Sequence, residues 1–184
     1  MSIIDASAGS GMWLLRLDHV LRNGVADPAC RLSLPNGAHA WRSIEGMTDY
    51  VYLPAEGPAS AVPAVPGEAT VVRLERLLER SGEPHGTVAG YHYVVETDVV
   101  DAYEDEFNRW YDEEHLPMLA AVSGTVRAVR YRAASGSPRY YACYDLATID
   151  VLTSAAWLAV RATDWSARIR PMFRNTRRTM FCRR

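Results

Sequence analysis

Residues 104–117 read Glu-Asp-Glu-Phe-Asn-Arg-Trp-Tyr-Asp-Glu-Glu-His-Leu-Pro, and no other stretch narrows the folding choices as much. Phe107, Trp110, Tyr111 and Glu114 recur at i, i+3, i+4 and i+7, the spacing of one helical face. The pattern predicts an amphipathic helix over 100–114. Asp101 and Glu104 have the spacing of a capping box, with Asp in place of the usual Ser or Thr. Pro117 disfavours helical geometry in the residue before it, so the helix is expected to break around Leu116. His115 closes the face beside two aromatic rings and a carboxylate, where acid–base chemistry can be placed.

Composition removes several alternatives. All twenty basic residues are arginine and the chain has no lysine, which excludes lysine Schiff-base chemistry and a P-loop lysine. An arginine-only, alanine-rich chain also suggests a GC-rich bacterial genome. The net charge of −2 gives no general pull toward nucleic acid or an anionic membrane. The basic run from Arg174 to Arg184 is interleaved with Thr, Met and Phe, so it reads as a strand with solvated arginines and not as a nucleic-acid patch. Cys30, Cys143 and Cys182 have no metal spacing and read as reduced thiols. No run approaches the ~20 apolar residues of a membrane span, and Met1–Gly11 lacks the features of a signal peptide. A soluble cytoplasmic protein is expected.

A Pro/Gly/Ala-rich stretch over 54–67 and a second break over 81–86 place a boundary near residue 85. Residues 86–184 predict a β-α-β-β-α-β order, an α+β arrangement with one antiparallel sheet and helices on one face. Its strands are expected at 91–97, 125–133, 139–146 and 176–183, with a second helix over 153–169 and a hairpin loop over 134–138. Residues 1–85 predict strands at 12–20, 29–34, 38–43 and 50–53, and either strand or helix at 70–78. They lack a second aromatic helix. They read as a degenerate ferredoxin-like half, or equally as an extension covering the C-terminal sheet.

The helix motif, followed by Met118-Leu-Ala-Ala-Val-Ser-Gly124 and the arginine-rich Arg127-Ala-Val-Arg-Tyr-Arg132, resembles the dimeric α/β-barrel superfamily and, within it, the EthD-like proteins. Ser137–Leu146, Ala156–Arg161 and Met172–Phe181 look like that group's third strand, second helix and last strand. The resemblance covers roughly half the chain. It implies two ferredoxin-like sheets paired into a barrel, between chains or between tandem halves, with a pocket between each sheet and its helices. Members include cofactor-free monooxygenases, polyketide cyclases, muconolactone isomerases and haem-dependent enzymes. Because residues 1–85 lack the Glu-His-x-Pro helix, at most one full site per chain is expected. The expected partners are a small-molecule substrate and a second copy in a homodimer.

His115 is the first candidate for general acid or base. Asp112 is its candidate orienter and Tyr111 a candidate donor to a developing oxyanion. The competing reading makes His115 a helix-end residue and Tyr111 a core ring. Phe107, Trp110, Tyr93, Tyr144 and Arg130 are candidate substrate contacts. Arg130 and Arg132 share one strand face, with Arg127 on the other. Metal binding is not expected: Glu114 and His115 are only two adjacent residues, and the spacing of His19 and His92 adds nothing. The favoured activity is cofactor-free acid–base chemistry on an aromatic, polyketide-like or lactone substrate, as an isomerase, cyclase or lyase. The alternatives are a cofactor-free or haem-dependent monooxygenase and a non-catalytic binding barrel.

Overall fold

The computed structural model describes residues 11–18, 37–55, 69–83 and 86–183. The expected strand at 29–34, together with His19 and Cys30, lies outside the described residues. The N-terminal strands are β1 (Gly11–Asp18), β2 (His39–Ser43), β3 (Thr48–Ala55) and β4 (Ala69–Ser81). The stretch at 70–78, open between strand and helix, is therefore strand. The C-terminal strands are β5 (Tyr91–Val99), β6 (Thr125–Ala133), β7 (Tyr140–Leu146) and β8 (Phe173–Arg183).

All eight strands close one antiparallel barrel in the order β1-β3-β2-β8-β5-β7-β6-β4. The order β4-β1-β3-β2 in the first half is repeated as β8-β5-β7-β6 in the second. Both seams form within the one chain. Trp41 opposes Arg183 where β2 meets β8, and Leu74 opposes Ala133 where β4 meets β6.

Strand alternation sorts the side chains into an inner and an outer set. Leu14, Tyr50, Tyr52, Leu74, Val94, Val129, Tyr141, Cys143 and Phe181 pack together as the barrel interior. Tyr91, Tyr93, Val95, Ala142 and Tyr144 meet the helices on the outside of the C-terminal half. β7 is buried on both faces, as a strand between two packed layers must be. Inside, Glu96 and Tyr50 hydrogen-bond each other, and Arg177 Nε donates to Glu96 Oε2 at 2.7 Å. This ionic group sits four residues along β5 from His92, about 13 Å away.

The helix does not break where Pro117 predicted. A 3₁₀ turn (Asp101–Tyr103) leads into α1 (Glu104–Trp110), a π turn (Tyr111–His115) and α2 (Leu116–Ala120), and Leu116 keeps helical angles of −68° and −45°. A proline in an α-helix clashes with the carbonyl four residues back and removes one hydrogen bond. The widened π turn directly before it relieves both problems. Leu116, Leu119 and Trp110 are all buried here. Each contributes about 1.5–3 kcal/mol, enough together to outweigh a proline penalty of ~3 kcal/mol. The capping box is also absent: no side chain caps this helix start. Glu104 instead accepts from the Tyr140 hydroxyl and pairs with Arg139 at 2.8 Å.

The single helix expected over 153–169 is two, α3 (Ala155–Arg161) and α4 (Asp164–Ile169). Each has its own side-chain cap. Ser154 Oγ accepts from Trp157 N at 3.2 Å, and Thr163 Oγ1 accepts from Ser166 N at 3.1 Å. Thr163 ends one helix by starting the next. No described helix is long and apolar enough to cross a membrane.

Candidate functional site

A cleft opens between the outer face of the C-terminal sheet and the helices. Its cavity volume is about 30 Å³, and the half-open space out to solvent is about 380 Å³. Trp110, Tyr111, His115 and Leu119 come from the α1–π–α2 segment, and Tyr93, Val95, Tyr144 and Phe173 from the sheet. The π turn brings His115 under Trp110, so the two rings stack at 4.0 Å and 23°. Tyr111 meets His115 edge-on at 5.4 Å. Tyr93 stacks with Tyr144 at 6.2 Å, and Trp157 of α3 meets Tyr144 edge-on at 5.2 Å.

Polar satisfaction marks this cleft. Five buried side-chain atoms in the described residues lack a hydrogen-bond partner, and three of them belong to its lining: Trp110 Nε1, His115 Nδ1 and the Tyr144 hydroxyl. An unpaired buried polar group costs about 1–3 kcal/mol, so three around one cleft are costly unless something else meets them. Indole N–H only donates, and the Tyr144 hydroxyl can donate as well.

The rim carries Arg161, Arg170 and Arg178. Arg170 Nη1 donates to the Arg161 carbonyl at 3.3 Å. Burial is the main cause lowering the Arg170 pKa, and the neighbouring charges of Arg161 and Arg178 add to it. Burial first, then Arg170 and Arg161, also pull His115 down to about 3. Its imidazole is therefore neutral at physiological pH and a weak base. Burial raises Tyr111 to about 12 and holds the Tyr144 hydroxyl well above its ordinary value. Both phenols are donors at neutral pH.

Among the residues singled out by sequence, the cleft gathers Tyr93, Trp110, Tyr111, His115 and Tyr144. Phe107, Asp112 and Arg130 are not among its lining residues. Asp112 does not orient His115: its carboxylate faces Arg130 at 3.4 Å, while His115 Nδ1 has no partner. Arg130 lies on the face opposite Arg127, as strand parity predicted, and sits beneath α1. It is 1% exposed, its Nη2 donates to Asn108 Oδ1 at 2.5 Å, and its guanidinium lies over Tyr111, Phe107 and Tyr140 at 4.5, 4.8 and 4.9 Å. That is a structural cation packed among rings. Sequence reading missed the rim arginines. Arg161 follows Trp157 by one helical turn, and Arg178 opposes Val95 in register, a placement visible only once β8 is paired.

No protein-family model matches the chain, and no curated protein matches it. Solved structures do match along nearly the full length. A putative monooxygenase from Fusobacterium nucleatum is 10% identical, with a TM-score of 0.64, covering 96% of this chain and 93% of its own. A ferredoxin-fold protein from Listeria monocytogenes, described as related to antibiotic biosynthesis monooxygenases, is 8% identical with a TM-score of 0.59, covering 98% and 99%. An anthrone oxidase-like protein is 9% identical with a TM-score of 0.57, covering 98% and 94%. At these identities the likeness shows the fold alone, a ferredoxin-like α/β barrel.

Proposed function

We propose that the chain is a cofactor-free monooxygenase acting on an acidic hydroxyaromatic or anthrone-like compound in the helix–sheet cleft. The observation that carries this is the set of unpaired buried atoms, Trp110 Nε1 and the Tyr144 hydroxyl, beneath three arginines. Donors above and below ask for an acceptor with negative charge, the oxyanion of a phenol or enol. Tyr93, Trp157 and Phe173 supply flat walls for its rings. The names of several structural neighbours, monooxygenase and anthrone oxidase-like, agree with this chemistry, while another is named a regulator of staphylococcal pathogenesis. Holding the substrate as its electron-rich anion lets dioxygen oxidise it directly. For an anthrone, one oxygen atom becomes the new carbonyl, and the other leaves as water with the two methylene hydrogens.

The acid–base reading gave His115 the base's role. A group held near 3 is poorly matched to removing a proton at neutral pH, so isomerase, cyclase or lyase chemistry through His115 has less support. His115 instead packs the floor and offers Nδ1 to the ligand. The haem alternative has less support, because Trp110 covers one face of the His115 ring. We read the chain as two β-rich halves meeting near residue 85, the second being the β-α-β-β-α-β unit. The narrower EthD-like resemblance rests on the helix motif. A homodimer would use a surface other than the barrel seams, since both close within the chain.

Oxygen uptake with anthrone tests the proposal. Wild type is expected to exceed the buffer rate with or without chelator, and Tyr144→Phe to lower kcat by about 10²-fold, the loss of one oxyanion donor. Uptake at the buffer rate, or full activity in Tyr144→Phe, would overturn it.

A further inference from the structure

On the opposite face of the same sheet, the barrel interior holds a cavity of about 350 Å³. This lies within the size range of small-molecule sites. Neighbouring residues of β5 and β7 serve the two spaces alternately: Tyr93 and Tyr144 face the cleft, while His92, Cys143 and Asp145 face the cavity. The two sites are separated by one sheet.

The cavity contains an ordered polar chain. His92 Nδ1 lies 2.6 Å from Asp145 Oδ1, and His92 Nε2 lies 3.0 Å from the Tyr52 hydroxyl. Trp41 stacks on the imidazole at 4.9 Å and 15°, fixing the ring plane. Burial alone would raise the Asp145 carboxyl. The hydrogen bond from His92 and the charge of Arg127 outweigh it and keep the group below the usual carboxylate range. Asp145 Oδ1 accepts the Nδ1–H, and in this tautomer Nε2 accepts the Tyr52 O–H. The Tyr52 oxygen then has lone pairs to offer and no proton. A hydrogen-bond chain of this kind makes its terminal oxygen a better acceptor. Its other neighbour is the Cys143 thiol, at 3.7 Å, a weak partner.

Charge points the same way. Arg127 is the cation of this wall, and its Nε donates to Glu79 Oε1 at 2.7 Å, its Nη2 to the Tyr131 hydroxyl at 3.3 Å, and its Nη1 lies 3.5 Å from Asp145 Oδ2. Two carboxylates surround one guanidinium, so an incoming anion is repelled. Trp41, Tyr52, Tyr131 and Val129 provide apolar and aromatic wall.

We propose that the barrel interior is a second small-molecule site, independent of the cleft, that takes an uncharged hydroxyaromatic ligand whose O–H donates to Tyr52. The two faces of the sheet then differ in selectivity: donors and arginines on the cleft side select an oxyanion, and an acceptor chain inside the barrel selects a neutral donor.

Calorimetric titration with 2-naphthol and, separately, with 2-naphthoate tests this. Naphthol is expected to bind one-to-one. Tyr52→Phe, which keeps the ring and removes the acceptor oxygen, is expected to weaken it about fivefold, the worth of one hydrogen bond. Val129→Phe, which fills the cavity, is expected to abolish naphthol binding. Arg161→Gln with Arg178→Gln is expected to leave naphthol unchanged and to remove naphthoate. No naphthol binding, or binding indifferent to Tyr52→Phe and lost in the arginine variant, would overturn the second site. Wild-type protein that binds naphthol but not naphthoate would count against the cleft reading and leave this one standing.

Discussion

His115 is neutral because burial strips a proton on it of water, and the charges of Arg170 and Arg161 add to that cost. That has a consequence for stability. Its pKa falls from 6.5 to about 3 on folding, so between those values the unfolded chain holds a proton that the native one does not. Stability is therefore full above about pH 6.5 and declines as the pH falls toward 3, with a slope approaching ~1.4 kcal/mol per pH unit. His115→Gln should flatten the slope of urea-unfolding free energy between pH 6.5 and 4.5, and equal slopes in the two proteins would contradict the assignment. Arg130 makes a second residue-level contrast. Arg130→Ala should cost about 2–4 kcal/mol, because it empties a packed aromatic setting. Arg132→Ala should cost under ~1 kcal/mol, since the Arg132–Glu75 pair is solvent-exposed. At this scale the sequence showed which residues belong to the helix face, and spacing together with the family resemblance singled out His115, Tyr111 and Trp110, which line the cleft. It did not show which polar atoms go unpaired, because that depends on what packs against them from strands far away in the chain. The Tyr52–His92–Asp145 chain was invisible for the same reason: its members come from three strands and share no local motif.

The elements were more legible than their ends. Strand alternation correctly put Arg130 and Arg127 on opposite faces of β6, and residues 70–78 resolved to strand once a neighbour on each side was available to pair. Two local rules failed. Pro117 was read as a stop, but a π turn absorbs it and thereby stacks His115 on Trp110. The 153–169 stretch was read as one helix, but Thr163 caps a second. In both cases burial on either side of the irregularity outweighed a preference of about 3 kcal/mol or less. The seam between β4 and β6 gives a test of element packing. A Cβ on Gly82 would run into the Thr125 carbonyl oxygen and come within 2.6 Å of that of Ala120, both backbone atoms that cannot step aside. Gly82→Ala should destabilise by about 2 kcal/mol or more, read from the urea midpoint. A neutral result would mean that the seam is looser than described.

For the whole molecule, one barrel built from two four-strand sets of the same order separates two spaces of opposite character. Because both seams form within the chain, the barrel should persist in a species of 20.5 kDa. Native mass spectrometry at high dilution, paired with circular dichroism, should show a folded monomer; unfolding on dissociation would mean that a partner supplies part of the barrel. A chain of net charge −2 gathers three arginines and unpaired donors around one cleft, the setting proposed to hold an aromatic oxyanion. The most direct measurement is a spectrophotometric pH titration of p-nitrophenol bound to the protein. The yellow phenolate should persist to lower pH when bound than when free, and Arg161→Gln with Arg178→Gln should remove the difference. A bound phenol whose pKa is unchanged or raised would contradict the account.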